Sequence, residues 1–222
     1  MRLKNEKYIV CIETTSEVCG VSIGLDNKII YSSNLNLGLN HSITLFENIN
    51  NALSSLKIDM ANVSKIKVSS GPGSFTGIRI GIACALGLST PYNTKIEYVD
   101  TLDSLSFFID KGLVCSLIDA RVDRVYFSMY YNHKKLIKDI IININDLIYL
   151  LNKHFKNISL NLVGSGAIYY KKNFDGALKV DYKIYEDNII SSDNLLFAKG
   201  KISKTPIINY LLSSKAEREK YG

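Results

Sequence analysis

One supersecondary pattern occurs twice along this chain, and the repeat limits the possible folds more than any other feature. Residues 8–31 read as an apolar strand that ends in an acid, a polar turn, an alternating strand, a second turn and a third strand, and residues 113–142 read the same way. The two segments align without a gap, pairing Glu13 with Asp119, Cys19 with Val125, Val21 with Phe127 and Asp26 with Asn132. So long a repeat in 222 residues predicts two related domains and not a solenoid.

The residues that follow each three-stranded segment are also alike. A helical apolar stripe over 45–56 precedes a short strand at 66–69 and a glycine-rich loop; a stripe over 147–155 precedes a strand at 158–163 and the loop Gly164-Ser165-Gly166. Each half is therefore predicted as β-β-β-α-β-α, which suits a mixed sheet with helices on its faces. Two such halves predict the α/β class and a duplicated actin-like, ribonuclease-H-like (ASKHA) fold, with Glu13 and Asp119 at the interdomain cleft.

The predicted division places the first half at residues 1–100, with the glycine loop and two helices, and a smaller second half with a C-terminal tail at 101–222. Residues 1–100 carry 9 Lys and Arg against 8 Asp and Glu, and residues 101–222 carry 18 against 13. The excess in the second half indicates either weak attraction to a polyanion or simply a solvated, lysine-rich surface.

The composition, 46% hydrophobic and 22% charged, is that of a globular protein. Because no apolar run approaches the roughly 18 residues of a membrane helix, we expect a cytoplasmic protein without membrane contact. The four cysteines lack CxxC spacing, which predicts buried free thiols and no metal site.

A glycine-rich loop, SGPGSFTGIRIG at residues 70–81, lies between a predicted strand and a predicted helix. Backbone N–H groups at such a place can hold an anion, and the candidate residues are Gly71, Gly73, Ser74, Thr76 and Arg79. The alternative is a tight turn with a helix cap from Ser74 or Thr76. Ile78 stands where the phosphate-binding lysine of a Walker A loop would be, so that motif is excluded.

The helix after this loop carries glycines that need an explanation. Gly77, Gly81 and Ala85 fall four apart on one face, and a glycine inside a helix costs about 1 kcal/mol relative to alanine. Something must therefore approach closely, either the sheet of the same domain or a partner's helix. Arg79 is the only charged residue from 68 to 94, and Glu47 the only one from 42 to 56. We predict a helix–helix interface through residues 42–56 and 77–90, with the candidates His41, Leu45, Ile49, Phe75, Gly77, Gly81, Cys84, Ala85 and Leu88.

Several of these segments together resemble the TsaB (YeaZ) family. They are Ile12-Glu13-Thr14-Thr15-Ser16, Asn40-His41-Ser42, the run GPGSFTGIRIGIACALG at 71–87, and Asp119-Ala120-Arg121. The resemblance covers most of residues 7–131. It thins towards the tail, where Leu212 stands in place of an expected arginine, and Glu13 replaces the commoner aspartate.

The resemblance implies a noncatalytic subunit of the machinery that makes N6-threonylcarbamoyladenosine (t6A) beside the tRNA anticodon. Its implied partner is the transferase TsaD, which it binds and activates, with the ATPase subunit TsaE joining through the complex. It also implies a homodimer in isolation through the same helices, and only indirect or weak contact with tRNA. ATP would be used by the complex and not by this chain, with no cofactor or metal bound here and no catalytic residue.

Two enzymatic roles are the alternatives to such a subunit. A TsaD-like metal site needs paired histidines four apart on the first helix, but Leu45 stands at that spacing from His41. An actin-like ATPase or small-molecule kinase could use Glu13 and Asp119 to hold Mg²⁺, yet the turn after Glu13 has no glycine for close approach to phosphate. The two acids are therefore interpreted as vestigial.

Overall fold

The computed structural model describes residues 7–36, 41–185 and 190–211. Its strands are β1 (Tyr8–Glu13), β2 (Val18–Leu25), β3 (Lys28–Asn36), β4 (Val63–Ser69), β5 (Lys95–Val99), β6 (Leu113–Asp119), β7 (Arg124–Tyr131), β8 (Lys134–Asn143), β9 (Leu160–Val163), β10 (Tyr182–Ile184) and β11 (Lys201–Ile202). Its helices are α1 (His41–Leu56), α2 (Phe75–Ser89), α3 (Thr101–Ser106), α4 (Ile144–His154), α5 (Ser165–Tyr169), α6 (Lys171–Ala177) and α7 (Ser192–Phe197).

The first compact unit ends at Ser104 and also takes in Ile190–Asn209. Its sheet has the order β11-β5-β4-β1-β2-β3, in which β1, β2 and β3 are antiparallel neighbours and β4 and β5 run parallel to β1. Helices α1 and α2 cover one face, where alternate residues of β2 join the apolar core. The intervening residues of β2 face α7, so both faces of this sheet are covered.

The second unit begins at Leu105 and contains the sheet β10-β9-β6-β7-β8. Its central order matches β5-β4-β1-β2-β3 of the first sheet strand for strand, with α4 at the place of α1 and α5 and α6 following β9. The predicted α/β class and the duplicated actin-like fold are confirmed.

The two tight turns of the repeat have the same backbone geometry. Asp26 and Asn27 lie at φ 50° and 60°, and Asn132 and His133 at φ 47° and 63°. Two consecutive left-handed residues form the hairpin turn whose twist matches that of its strands. The local sequence therefore dictates this part of both units.

The domain division differs from the prediction at the C-terminal side. The second half was expected to run from residue 101 to 222, but residues 190–209 pack with the first unit as α7, β11 and the segment after it. The physical reason is that α7 covers the face of the first sheet that carries Ser22. Without α7, that face would be exposed to solvent.

The four cysteines are free thiols; Cys11, Cys19 and Cys115 are buried, whereas Cys84 is only half-buried. Burial raises the pKa of the Cys84 thiol to about 11. Within the described residues, no helix has the length and apolar character needed to cross a membrane.

Candidate functional site

Helix α1 has a buried face and an exposed apolar one. His41 begins the helix, and its Nε2 lies 2.8 Å from the carbonyl oxygen of Ser16, which fixes α1 to the turn after β1. The inward face buries Leu45 and Ile49 in the core. On the outward face Ile43 is 70% exposed and Phe46 55% exposed. These two large apolar side chains lie three residues apart and form an exposed apolar patch on the helix.

The glycine loop begins α2 with a side-chain cap. Ser74 Oγ accepts from Gly77 N at 3.2 Å, and Ser74 N donates to Thr15 O at 2.7 Å. A Cβ at Gly73 would lie 2.4 Å from that same Thr15 oxygen, so only glycine allows the loop to close on the β1–β2 turn. The N–H groups of Ser74 and Gly77 are thus engaged within the protein, and Ser74 forms the helix cap that was the alternative for this loop. Anion binding by the loop stays a prediction.

The helix glycines meet their own unit. A Cβ at Gly77 would lie 1.9 Å from Thr14 O, and one at Gly81 would lie 2.4 Å from Thr14 Oγ1, which itself donates to Gly77 O at 2.8 Å. Ala85, one turn further on, is fully buried. The close neighbour that explains the glycines is therefore the turn after β1 and not a partner's helix.

The outward face of α2 is made of small or apolar residues. Ala83 and Gly87 are exposed, and Ile80, Cys84 and Leu88 are half-buried. Since α1 packs against α2, their outward faces adjoin. We call this the α1–α2 surface, defined by Ile43, Phe46, Ile80, Ala83, Cys84 and Gly87. At its start the Arg79 guanidinium lies 3.8 Å above the Phe75 ring.

Glu13 ends β1 and is completely buried. Its Oε1 accepts from Thr15 N at 2.6 Å and from Thr15 Oγ1 at 2.5 Å, while Oε2 has no hydrogen-bond partner among the described residues. Burial raises the pKa of this carboxyl, and the hydrogen bonds from Thr15 oppose the rise. Burial therefore favours the neutral form of Glu13, which is a poor ligand for Mg²⁺.

Asp119 ends β6 at the equivalent position and has different surroundings. It is partly exposed; its Oδ1 accepts from Arg121 N at 2.9 Å and from the Tyr170 hydroxyl at 3.3 Å. Burial and this carboxylate together raise the pKa of Tyr170 to about 12, so the phenol keeps its proton. The hydrogen bonds of Asp119 organise the β6–β7 turn within the second unit.

Comparisons with known proteins agree with the fold. The family model for TsaD, tRNA N6-adenosine threonylcarbamoyltransferase, matches residues 37–178. TsaB of Bacillus subtilis is 29% identical over 136 residues, which are 60% of this chain and 59% of that protein. TsaB of Buchnera aphidicola from Schizaphis graminum is 30% identical over 133 residues, 58% of this chain and 63% of the relative. The chain belongs to the TsaB (YeaZ) family.

The solved structure of YeaZ from Pseudomonas aeruginosa shares the fold, with a TM-score of 0.69 and 18% identity over 86% of this chain and 89% of that one. The match to the curated TsaB relatives spans about three fifths of their length. Two segments of the family resemblance lie outside the described residues: Asn40, and the tail from Leu212 onwards.

The interface residues predicted from the sequence divide into two groups in the structure. Six of them lie on the buried sides of α1 and α2, so their assignment to an external interface is corrected. They are His41, Leu45, Ile49, Gly77, Gly81 and Ala85. Phe75, Cys84 and Leu88 are partly accessible, and Thr76 and Arg79 are exposed. Sequence reasoning missed Ile43, Phe46, Ile80, Ala83 and Gly87. Their spacing of three and four residues was a usable signal, but periodicity alone does not say which helix face is the outer one.

Lys67 is a further residue that sequence reasoning missed. It lies on β4 and is buried; its Nζ donates to the carbonyls of Leu195, Leu196 and Ala198 at 3.0, 2.9 and 2.7 Å. These are the carbonyls at the end of α7, where a cation is favourable. Burial lowers the pKa of Lys67, and Glu97, 3.8 Å away, opposes that shift. The signal in the sequence was a lysine between two apolar strand residues, Ile66 and Val68, both of which are buried in the structure.

Proposed function

We propose that this protein is a noncatalytic partner subunit in t6A synthesis, which binds and activates the TsaD transferase through the α1–α2 surface. TsaD would modify the adenosine next to the anticodon, and the ATPase subunit TsaE would join through the complex. In isolation the same surface would form a homodimer. The observation that carries this proposal is an exposed pair of helices with apolar side chains and almost no charge.

The chemistry of that surface suits protein binding. Phe46 and Ile43 are anchors of the kind that fill pockets on a partner, and Ala83 and Gly87 would let a partner's helix come close to the α2 backbone. Glu47 is the only charged residue of α1, so little charge has to be desolvated on association. These features support a stable protein interface.

The noncatalytic part of the proposal rests on the residues that chemistry would need. His41 is committed to Ser16 O, and the position four residues later is Leu45, which lies in the core. One of the two acids that an actin-like ATPase or kinase would use, Glu13, is buried with Oε1 occupied by Thr15. Both observations favour a binding role over catalysis.

A reconstituted reaction tests the role directly. The adenylate-forming enzyme, TsaD and TsaE are mixed with unmodified tRNA, and t6A is measured with and without this protein. We expect t6A formation to depend on the protein and expect none from the protein alone. Unchanged modification in its absence, or ATP turnover by the isolated chain that Glu13→Gln abolishes, would overturn the proposal.

Two substitutions test the surface. Phe46→Asp and Ala83→Glu place a charge on exposed positions, and we expect each to weaken TsaD binding by about tenfold or more, because the charge would be buried in the interface. Tyr149→Asp on α4 is the matched control: Tyr149 is 62% exposed on the equivalent helix of the second unit. Isothermal titration measures binding, and circular dichroism confirms folding. Equal binding by all three variants would contradict the assignment.

A further inference from the structure

The topology of the second unit brings five chain segments to one end of its sheet. The parallel strands β6, β9 and β10 all begin there, while β7 ends and β8 begins at the same place. Leu113 lies opposite both Tyr131 and Leu160, and Leu160 lies opposite Tyr182. With about 4.8 Å between neighbouring strands, five strands make this end about 19 Å wide.

Hydrogen bonds hold the neighbouring loops at this end. Gly112 and Asn132 exchange two of them: Gly112 N donates to Asn132 Oδ1 at 2.9 Å, and Asn132 N donates to Gly112 O at 3.2 Å. Asn152 joins the end of α4 to the segment before β10, because its Nδ2 donates to Ala177 O at 2.9 Å and its Oδ1 accepts from Lys179 N at 2.6 Å. The loops are therefore positioned by the fold.

These segments carry a concentration of positive charge. We call it the basic end, defined by the exposed lysines Lys111, Lys134, Lys153, Lys156 and Lys179. None of them forms an ion pair within the part of the chain that the structure describes, whereas the neighbouring Lys135 is paired with Asp139 at 2.7 Å. The acids in these segments are Asp110 and Asp181, so lysines outnumber acids.

The opposite end of the same sheet has no such excess. There the β6–β7 turn carries Asp119 and Asp123 beside Arg121 and Arg124, and Arg121 Nε lies 3.8 Å from Asp119 Oδ2. The first turn of α4 adds Asp146. The charge of the second unit is thus distributed unevenly from one end to the other, as expected for a surface that meets a polyanion.

Aromatic side chains accompany the lysines. Tyr131 is 52% exposed at the end of β7, opposite Lys134 in the sheet. Tyr149 is also exposed, and Lys153 Nζ lies 5.7 Å from its ring centroid. Exposed aromatic rings beside unpaired cations are suited to stacking on bases while the cations neutralise phosphates. An acidic protein or a lipid headgroup offers no bases for such stacking, so these residues favour a nucleic acid.

We propose that the basic end binds RNA, by phosphate contacts from the five lysines and stacking on Tyr131. This inference rests on the proposed function, since it takes the bound RNA to be the tRNA substrate of the complex. The uncharged α1–α2 surface would hold the protein partner, and the basic end would contribute to the attraction of the tRNA. The two surfaces lie on different units and can be tested separately.

The test uses the full chain and an unmodified transcript of a tRNA that reads codons beginning with A. Fluorescence anisotropy gives the dissociation constant from 50 to 200 mM salt. We expect Lys134→Gln/Lys153→Gln/Lys156→Gln to weaken binding by about tenfold or more and to lower the slope of log affinity against log salt by about 3. Lys28→Gln/Lys95→Gln/Lys199→Gln, on exposed sites of the first unit, removes the same charge and should change the slope by less than 1.

Tyr131→Ala separates stacking from charge, because it should weaken binding while the salt slope stays unchanged. Equal effects of the two triple variants, or wild-type binding to vesicles of anionic phospholipid or to polyglutamate as strong as to tRNA, would overturn the inference. Phe46→Asp should bind tRNA alone normally. If Phe46→Asp keeps full TsaD binding, the proposed function has failed. If the lysine triple variant keeps full RNA binding, the RNA inference has failed, whatever its TsaD binding.

Discussion

The two units share their strand order and hairpin turns but differ in the helix that follows the fourth strand. In the first unit α2 runs without interruption from Phe75 to Ser89, whereas in the second the equivalent segment divides into α5 and α6 at Tyr170. In each unit, a glycine of this helical segment lies against the end of the first strand or against the turn that follows that strand. A Cβ added at Gly77 would lie 1.9 Å from Thr14 O, whereas a Cβ added at Gly166 would lie 3.1 Å from the carbonyl carbon of Leu117.

This difference shows how one architecture can support two kinds of surface. A long helix lying close to the turn after β1 presents several turns of outward face, and in α1 and α2 that face is nearly free of charge. The shorter helices of the second unit carry lysines, with Lys153 in the last turn of α4 and Lys171 beginning α6. The two units thus keep the same backbone arrangement but expose different side chains.

The largest expected effect tests the close approach of α2. Gly77→Ala should lower the free energy of unfolding by about 4 kcal/mol, because backbone atoms on both sides must move apart. Gly166→Ala in the second unit should cost about 1 kcal/mol, since its closest contact is much looser. Urea unfolding measures both.

Gly87→Ala is the control on the same helix, because a Cβ there meets nothing within 4 Å. It should raise the free energy of unfolding by up to about 1 kcal/mol through the better helix propensity of alanine. If Gly77→Ala and Gly166→Ala cost the same, the two units pack this helix equally closely and the comparison breaks down.

The next effect concerns α7, which covers a face of the first sheet. Lys67→Met should destabilise the protein by about 3 kcal/mol, because it leaves three carbonyls at the end of α7 without their donor. Lys65→Met removes a more exposed partner of Glu97 and should cost about 1 kcal/mol or less. In Lys67→Met, the backbone amides of residues 192–198 should exchange their hydrogens faster than in the wild type. Uniform exchange across both units would contradict a local role for Lys67.

The smallest effect concerns the response of the buried Glu13 to pH. The raised pKa of Glu13 means that the folded state binds its proton more tightly than the unfolded state does. The stabilising contribution is then complete below the unfolded pKa of about 4 and is lost as the pH rises through the folded pKa. We expect the free energy of unfolding of the wild type to fall from pH 5 to pH 8 relative to that of Glu13→Gln.

Thr15→Val provides the companion variant, because it removes the hydroxyl that donates to Glu13 Oε1 and opposes the raised pKa. The loss of stability with rising pH should then be larger than in the wild type. Parallel pH profiles for the wild type and Glu13→Gln would show that burial does not disfavour the charge on this acid.

Much of the fold could be predicted because its signals are local. Alternation fixed the strands on either side of Asp26 and Asn132, and a stripe of apolar residues fixed α1 and α4. Charge depletion is visible in the sequence and directed the candidate surface to α1 and α2, and that assignment stays a prediction. Most of the residues predicted for that surface lie on the buried side of these helices. Gly77 and Gly81 indicated a close neighbour, but a glycine does not show on which face the neighbour lies.

The sequence by itself determined the duplication, the hairpin turns and the uneven distribution of charge, all of which depend on residues near one another in the chain. Only the tertiary structure decided that Thr14 is the neighbour of Gly77, that Ile43 and Phe46 face outwards, and that Ile190–Asn209 returns to complete the first unit. Periodicity reveals which residues share a face of a helix or strand. What that face packs against is set by contacts between residues far apart in sequence, and the Lys67 bonds to the end of α7 are one such contact.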